Sequence, residues 1–178
     1  MGQYFTNDNS IPSKLVKTRA VVLNNSFIFY TDNGVFSKDG LDFGSRLLLE
    51  NIPLTEIGES LLDVGCGYGV FGIILNKILG VKVTMCDVNR RALHLAEKNI
   101  KENKCSDCSV IESSCYQNIN SKYSTIITNP PIRAGKKVVY EILEGAKDYL
   151  LPGGRLFFVV RKEQGAKSIM YRGEICVI

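Results

Sequence analysis

The 178-residue chain is 45% hydrophobic and 22% charged, long and apolar enough for one domain with a sizeable core. No apolar run approaches the roughly 18 residues of a membrane span, and the first residues lack the apolar stretch of a secretion signal, so a cytoplasmic chain with no membrane contact is expected. The net charge of +4 is uneven, −2 over residues 1–60, +1 over 61–120 and +5 over 121–178, which suits a phosphate-bearing partner or simply a solvated basic face.

In chain order, residues 19–31 read as two β-rich runs around Asn24-Asn25, a hairpin. Residues 32–44 are a glycine- and aspartate-rich loop carrying Phe36, and 45–52 a short helix with Ser45 near its N-cap. An alternation follows. Residues 61–64, 82–88, 108–112, 124–128 and 155–160 read as strands, while 68–79, 89–103 and 136–150 read as helices. The turn Pro152-Gly153-Gly154 leads into the last strand. The pattern predicts a mostly parallel α/β sheet with helices on both faces, and ligands bound at the strands' carboxyl ends. Residues 1–52 would form an N-terminal hairpin, loop and helix, and 53–178 the core of the same domain.

Six cysteines include one C-x-x-C pair, Cys105 and Cys108, with no second pair beside it. The single histidine, His94, shares a helix face with Arg90, Arg91, Glu97 and Lys98. Reduced thiols and no metal are expected.

The segment 63–72, Asp-Val-Gly-Cys-Gly-Tyr-Gly-Val-Phe-Gly, ends the first core strand. Gly67, Gly69 and Gly72 fit a dinucleotide fingerprint, but Asp63 and Gly65 then fall inside the buried strand. The better parse closes the strand at Asp63 and turns the chain at Gly65, Gly67 and Gly69, where the backbone must approach a ligand closely. Gly72 then lets the helix sit against the sheet. Asp87, ending the next strand, is placed to accept two ribose hydroxyls.

In this loop the chain resembles class I methyltransferases that use S-adenosyl-L-methionine. The resemblance implies that Gly65, Cys66, Gly67 and Gly69 cradle the cofactor. It further implies that Asp63 orders the loop and helps hold the ammonium, that Asp87 and Val88 meet the ribose side, that Ser114 stands near the adenine, and that Asn129, after the fourth core strand, also touches the cofactor. Relatives often carry aspartate about where Ser114 is.

Asn129-Pro130-Pro131-Ile132 follows the fourth core strand and resembles the signature of enzymes that methylate planar exocyclic amines. Such an amine is a poor nucleophile because its lone pair is delocalised. The Asn129 side-chain oxygen and the Pro130 carbonyl would accept its N–H groups and hold it in line, and the prolines would stiffen the turn. Adenine-N6 and glutamine methyltransferases usually place an aromatic where Ile132 stands. With residues 34–49 and 129–136, the chain is similar, over about residues 32–168, to the methyltransferase small-domain family that includes ribosomal RNA guanine-N2 methyltransferases. The resemblance implies guanine N2 in small-subunit ribosomal RNA as target, with RNA or the small subunit as partner. It also implies a loop carrying Phe36, Asp42 and Gly44 over the cofactor; for Phe36, core packing is an equal reading. Arg133, Lys136 and Lys137 either meet RNA phosphates or form a solvated helix start. Adenine-N6 or protein-glutamine methylation, and a non-catalytic RNA-binding module with the same fold, are the alternatives. The ten residues after Ser168 are too few for the helix and strand pair with which this fold normally ends, so an incomplete C-terminal strand pair is expected.

Overall fold

The computed structural model describes residues 12–160. Strands β1 (Val16–Val22) and β2 (Asn25–Thr31) form an antiparallel hairpin, followed by helix α1 (Phe43–Asn51). Strands β3 (Ser60–Val64), β4 (Lys82–Asp87), β5 (Cys108–Glu112), β6 (Tyr123–Thr128) and β7 (Leu150–Phe158) make a parallel sheet ordered β5-β4-β3-β6-β7. Helices α2 (Val70–Leu79), α3 (Arg90–Glu102) and α4 (Lys136–Tyr149) connect them. Winding runs outward from β3 through β4 to β5, then restarts on the other side of β3 at β6. The tips of β3 and β6 therefore flank a topological switch point, where an open α/β sheet leaves a crevice.

Side chains alternate along each strand, so Leu61 and Asp63 face one layer while Leu62 and Val64 face the other. The first layer packs α1, α2, α3 and the hairpin around Leu48, Phe71, Ile74, Met85 and Phe29. The second packs α4 and the segment after β5 around Tyr116, Ile126, Ile142 and Ala146. Gly72 sits where α2 meets the sheet; a Cβ there would come within 2.7 Å of Met85 and 2.9 Å of Val83.

The hairpin joins the core without joining the sheet. Asn99 on α3 and Asn103, its C-cap one turn later, replace a partner strand along the β2 edge. Asn99 accepts from the Tyr30 N–H (2.7 Å) and donates to the Tyr30 carbonyl (3.0 Å). Asn103 accepts from the Ile28 N–H (3.1 Å) and donates to the Ile28 carbonyl (2.7 Å). The spacing works because four helical residues and two strand residues both advance about 6 Å. Asn99→Ala would strand three backbone groups, two part-buried and one buried, since its amide also donates to the Tyr68 carbonyl at 2.9 Å. A loss of about 2–3 kcal/mol is expected, read from the urea midpoint, with Asn103→Ala milder.

Several boundaries differ from the sequence reading. The hairpin turns at Leu23-Asn24, both in the left-handed region (φ 50° and 61°), rather than at Asn24-Asn25. The N-cap of α1 is Asp42, whose carboxylate accepts the Ser45 N–H; Ser45 lies inside the helix. The Pro152-Gly153-Gly154 turn lies within β7, whose register against β6 jumps from Tyr123–Leu150 to Thr125–Arg155. The expected C-terminal strand pair concerns residues outside those described. Among the described residues no helix is long and apolar enough to cross a membrane, no group of three or more His, Cys, Asp or Glu is placed to hold a metal, and the five cysteines form no disulfide.

Candidate active site

The tips of β3, β4 and β6 are tied to one another. Gly65 N–H and Cys66 N–H both donate to the Cys86 carbonyl at the end of β4 (2.8 and 3.0 Å). The Thr128 hydroxyl of β6 donates to the Val64 carbonyl at 2.7 Å. Asp63 and Asn129 thus stand at the same end of adjacent strands, with Asp63 in register with Ile127.

Outside these tips opens a cleft of about 670 Å³, within the range of small-molecule sites. Gly65, Cys66, Gly67, Asp87, Val88, Ser114, Phe36, Asp42, Gly44, Asn129, Pro130, Pro131, Ile132 and Arg133 all line it. Phe36 is 39% exposed, which is not a core position. Three expected site residues are not on its wall. Lys136 is exposed at the start of α4. Gly69 caps α2, and a Cβ there would meet Ile73 at 2.9 Å. Asp63 is wholly buried beneath the glycine loop.

Gly65 and Gly67 have φ of 69° and 55°, and a Cβ added at either would meet nothing within 4 Å. They give a turn that presents bare backbone to the cleft. Asp87 is fixed beside it. Its Oδ2 accepts the Gly67 N–H and its Oδ1 the Asn89 N–H, both at 2.9 Å. Burial pushes its carboxyl above the usual range, opposed by these bonds and the Val88 N–H. Asp63 Oδ2 accepts the Gly72 N–H at 3.0 Å while Oδ1 has no partner. Burial raises its carboxyl to about 7, the Gly72 bond opposes the rise, and Asp87 adds to it. A buried carboxylate with one oxygen unpartnered, below an open glycine turn, suits a cationic ligand.

On the opposite wall, Asn129 Nδ2 lies 3.1 Å from Ser45 Oγ and 3.3 Å from Asp42 Oδ1. A carboxylate oxygen accepts, so the amide nitrogen faces α1. No described residue donates to Asn129 Oδ1. Ile132 packs on Phe158 and Val160 and gives the cleft an apolar wall.

The chain matches the methyltransferase small domain model over residues 26–173. It belongs to that family. The family is one of S-adenosyl-L-methionine-dependent class I methyltransferases, and the sheet is of their Rossmann-like kind. The chain is 38% identical over 174 residues to the uncharacterized protein YbxB of Bacillus subtilis, covering 96% of this chain and 87% of that one. It is 39% identical over 137 residues to ribosomal RNA small subunit methyltransferase C of Mannheimia succiniciproducens, covering 74% of this chain but 40% of that relative. Similar relatives from Photorhabdus laumondii and Aeromonas hydrophila are spanned over 38% and 37% of their length. Among solved structures, a 16S rRNA N2 methyltransferase from T. thermophilus, in complex with AdoMet and guanosine, superposes with a TM-score of 0.81 at 25% identity. It matches 89% of this chain and 45% of that one.

The sequence reading passed over the residues that hold this family's motifs in place. Ser45, expected only near the N-cap of α1, also braces Asn129. Tyr68, inside the glycine loop, packs edge-on against Phe29 (5.6 Å between ring centroids), and Asn99 binds its carbonyl, so the hairpin steadies the loop. Asn99 and Asn103 on the inner side of α3 were the available signal, because asparagine is a poor helix former.

Proposed function

We propose that the chain transfers a methyl group from S-adenosyl-L-methionine to an exocyclic amine, guanine N2 of small-subunit ribosomal RNA. When bound, this cofactor supplies an electrophilic methyl on a positively charged sulfur. The glycine turn and Asp87 are the residues to hold it; Ser114 stands after β5, where its adenine would lie.

The orientation of Asn129 carries the reading. With Nδ2 engaged by Asp42 and Ser45, Oδ1 is left to accept an N–H from the target. The Pro130 carbonyl, which receives no backbone N–H from the described residues, supplies the second acceptor. As its nitrogen takes up the methyl and S-adenosylhomocysteine leaves, the amine would leave conjugation and gain positive charge, which it sheds afterwards as a proton to water. Both oxygens then bind it more tightly than in the ground state, which is where the rate gain arises. No strong base is required, because the electrophile is already activated. Ile132 favours guanine over targets that need an aromatic stacking partner. Arg133 on the cleft rim, with Lys136 and Lys137 beyond it, would meet RNA phosphates, and a ribosomal target would place the activity in the cytoplasm.

The test is incubation with unmodified 16S ribosomal RNA and with small subunits, followed by digestion and mass spectrometry of the nucleosides. N2-methylguanosine is the expected product. Methylated adenosine would reject the target, and RNA binding with no methylated product would favour the non-catalytic reading.

A further inference from the structure

Asn89, just beyond β4, does more than a helix cap requires. Its Oδ1 accepts the N–H groups of Arg91 (3.0 Å) and Ala92 (3.2 Å), which starts α3. Serine, threonine or aspartate would serve as well for that purpose. Asparagine adds an amide donor, and here Nδ2 donates to the Gly34 carbonyl at 2.9 Å, 55 residues earlier in the chain. Asn89 also gives its backbone N–H to Asp87 Oδ1. One residue therefore touches both the carboxylate on the cofactor side and the loop that crosses the cleft.

That loop leads to the target side. Val35, Phe36, Ser37, Lys38 and Asp39 line the cleft, and Asp42 at its end holds the Asn129 amide. Arg91 supports the same anchor by donating to the Asn33 carbonyl at 2.6 Å. Asp32 Oδ1 accepts the Asn33 N–H at 2.7 Å. A continuous run of bonds thus joins Asp87, Asn89, the 33–42 loop, Asp42 and Asn129. The anchor at 33–34 and the cap at 42 fix the two ends of a segment that lines the cleft between them.

We propose that Asn89 is a positioning residue that couples cofactor binding to the ordering of Asn129, by tethering the 33–42 loop to the helix start beside Asp87. The inference rests on the function proposed above and adds a role to it. A cofactor that settles against Asp87 and the loop fixes Asn129 for the incoming amine. Equally, an amine bound at Asn129 fixes the loop for the cofactor, because coupling between two binding sites is reciprocal.

The decisive variant is Asn89→Ser, which keeps the cap acceptor and loses the amide donor. Hydrogen exchange on the free protein comes first. Amides at 33–42 should exchange about tenfold faster than in wild type, with α3 unchanged. Calorimetry with S-adenosylhomocysteine, alone and with saturating 16S ribosomal RNA transcript, comes second. Wild type should bind the nucleoside about tenfold tighter in the presence of RNA, and Asn89→Ser should lose most of that difference. Adding Arg91→Ala should enlarge both effects, and Asn89→Ala should also destabilise α3. Loop exchange unchanged in both Asn89→Ser and the double variant would overturn the tether. A coupling factor equal to wild type in those variants would overturn the positioning role. A wild-type protein that binds no S-adenosylhomocysteine would instead overturn the proposed function, while the loop exchange still decides the tether.

Discussion

Asn129→Ala should slow methyl transfer about 100- to 1,000-fold while leaving affinity for S-adenosylhomocysteine close to that of the wild type. The substitution removes one of two acceptors aimed at the amine and leaves the glycine turn and Asp87 untouched. Fixed dipoles at a reacting centre have effects of this size because they need no reorganisation during the reaction. The braces behind Asn129 predict a graded series. Ser45→Ala removes one of two acceptors from Nδ2 and should cost about tenfold, through a looser amide rather than a missing one. Asn129→Asp should be as poor as alanine, since it sets a second carboxyl 3.3 Å from Asp42 Oδ1 and turns both away. Single-turnover rates with cofactor in excess check the series. Equal rates for wild type and Asn129→Ala would remove this side chain from the chemistry. A loss confined to nucleoside affinity would move it to the cofactor site.

Backbone chemistry made the sheet and the cleft legible. Short apolar strands alternating with amphipathic helices specify a parallel sheet, and a parallel sheet has one useful edge, where its carboxyl ends lie. Glycines after β3 and prolines after β6 mark that edge because they favour such turns and leave the backbone bare or stiff. Asp87 and Asn129 follow from their places at strand ends. Longer-range pairs were less legible. Ser45 reaches Asn129 across 84 residues and Asn89 reaches Gly34 across 55, and neither pairing leaves a periodic trace. Local preference places Ser45 near the N-cap of α1; Asp42 is the cap, which leaves the serine hydroxyl for the cleft. Asp63 shows the converse. Its place in the motif suggested ligand contact, yet strand alternation turns it inward under α2. Any influence on the cleft would therefore have to act through its charge.

Stability should follow that charge. Burial pushes the folded Asp63 carboxyl up to about 7, against about 3.9 for a free aspartate, so between those limits the folded chain holds a proton that the unfolded chain has released. The contribution of this group is therefore most favourable at acid pH and declines as pH rises toward 7. A gap of about three pH units corresponds to about 4 kcal/mol lost by pH 8. Asp63→Asn abolishes the ionisation and keeps an oxygen for the Gly72 N–H. Its NH2 replaces the orphaned Oδ1 and also lacks a partner, costing about 1–3 kcal/mol at every pH. The variant should thus be more stable than wild type by about 1–3 kcal/mol at pH 8, with the advantage gone by pH 5. Nucleoside binding should move the other way. A cationic ligand above the glycine loop favours the ionised carboxylate, so the stabilised variant should bind S-adenosyl-L-methionine more weakly than wild type at pH 8. Urea midpoints from pH 5 to 8, with calorimetry at the upper end, separate the two effects. A variant less stable at every pH would mean that Asp63 is retained for packing. A more stable variant with undiminished cofactor affinity would leave its buried charge without a functional reason.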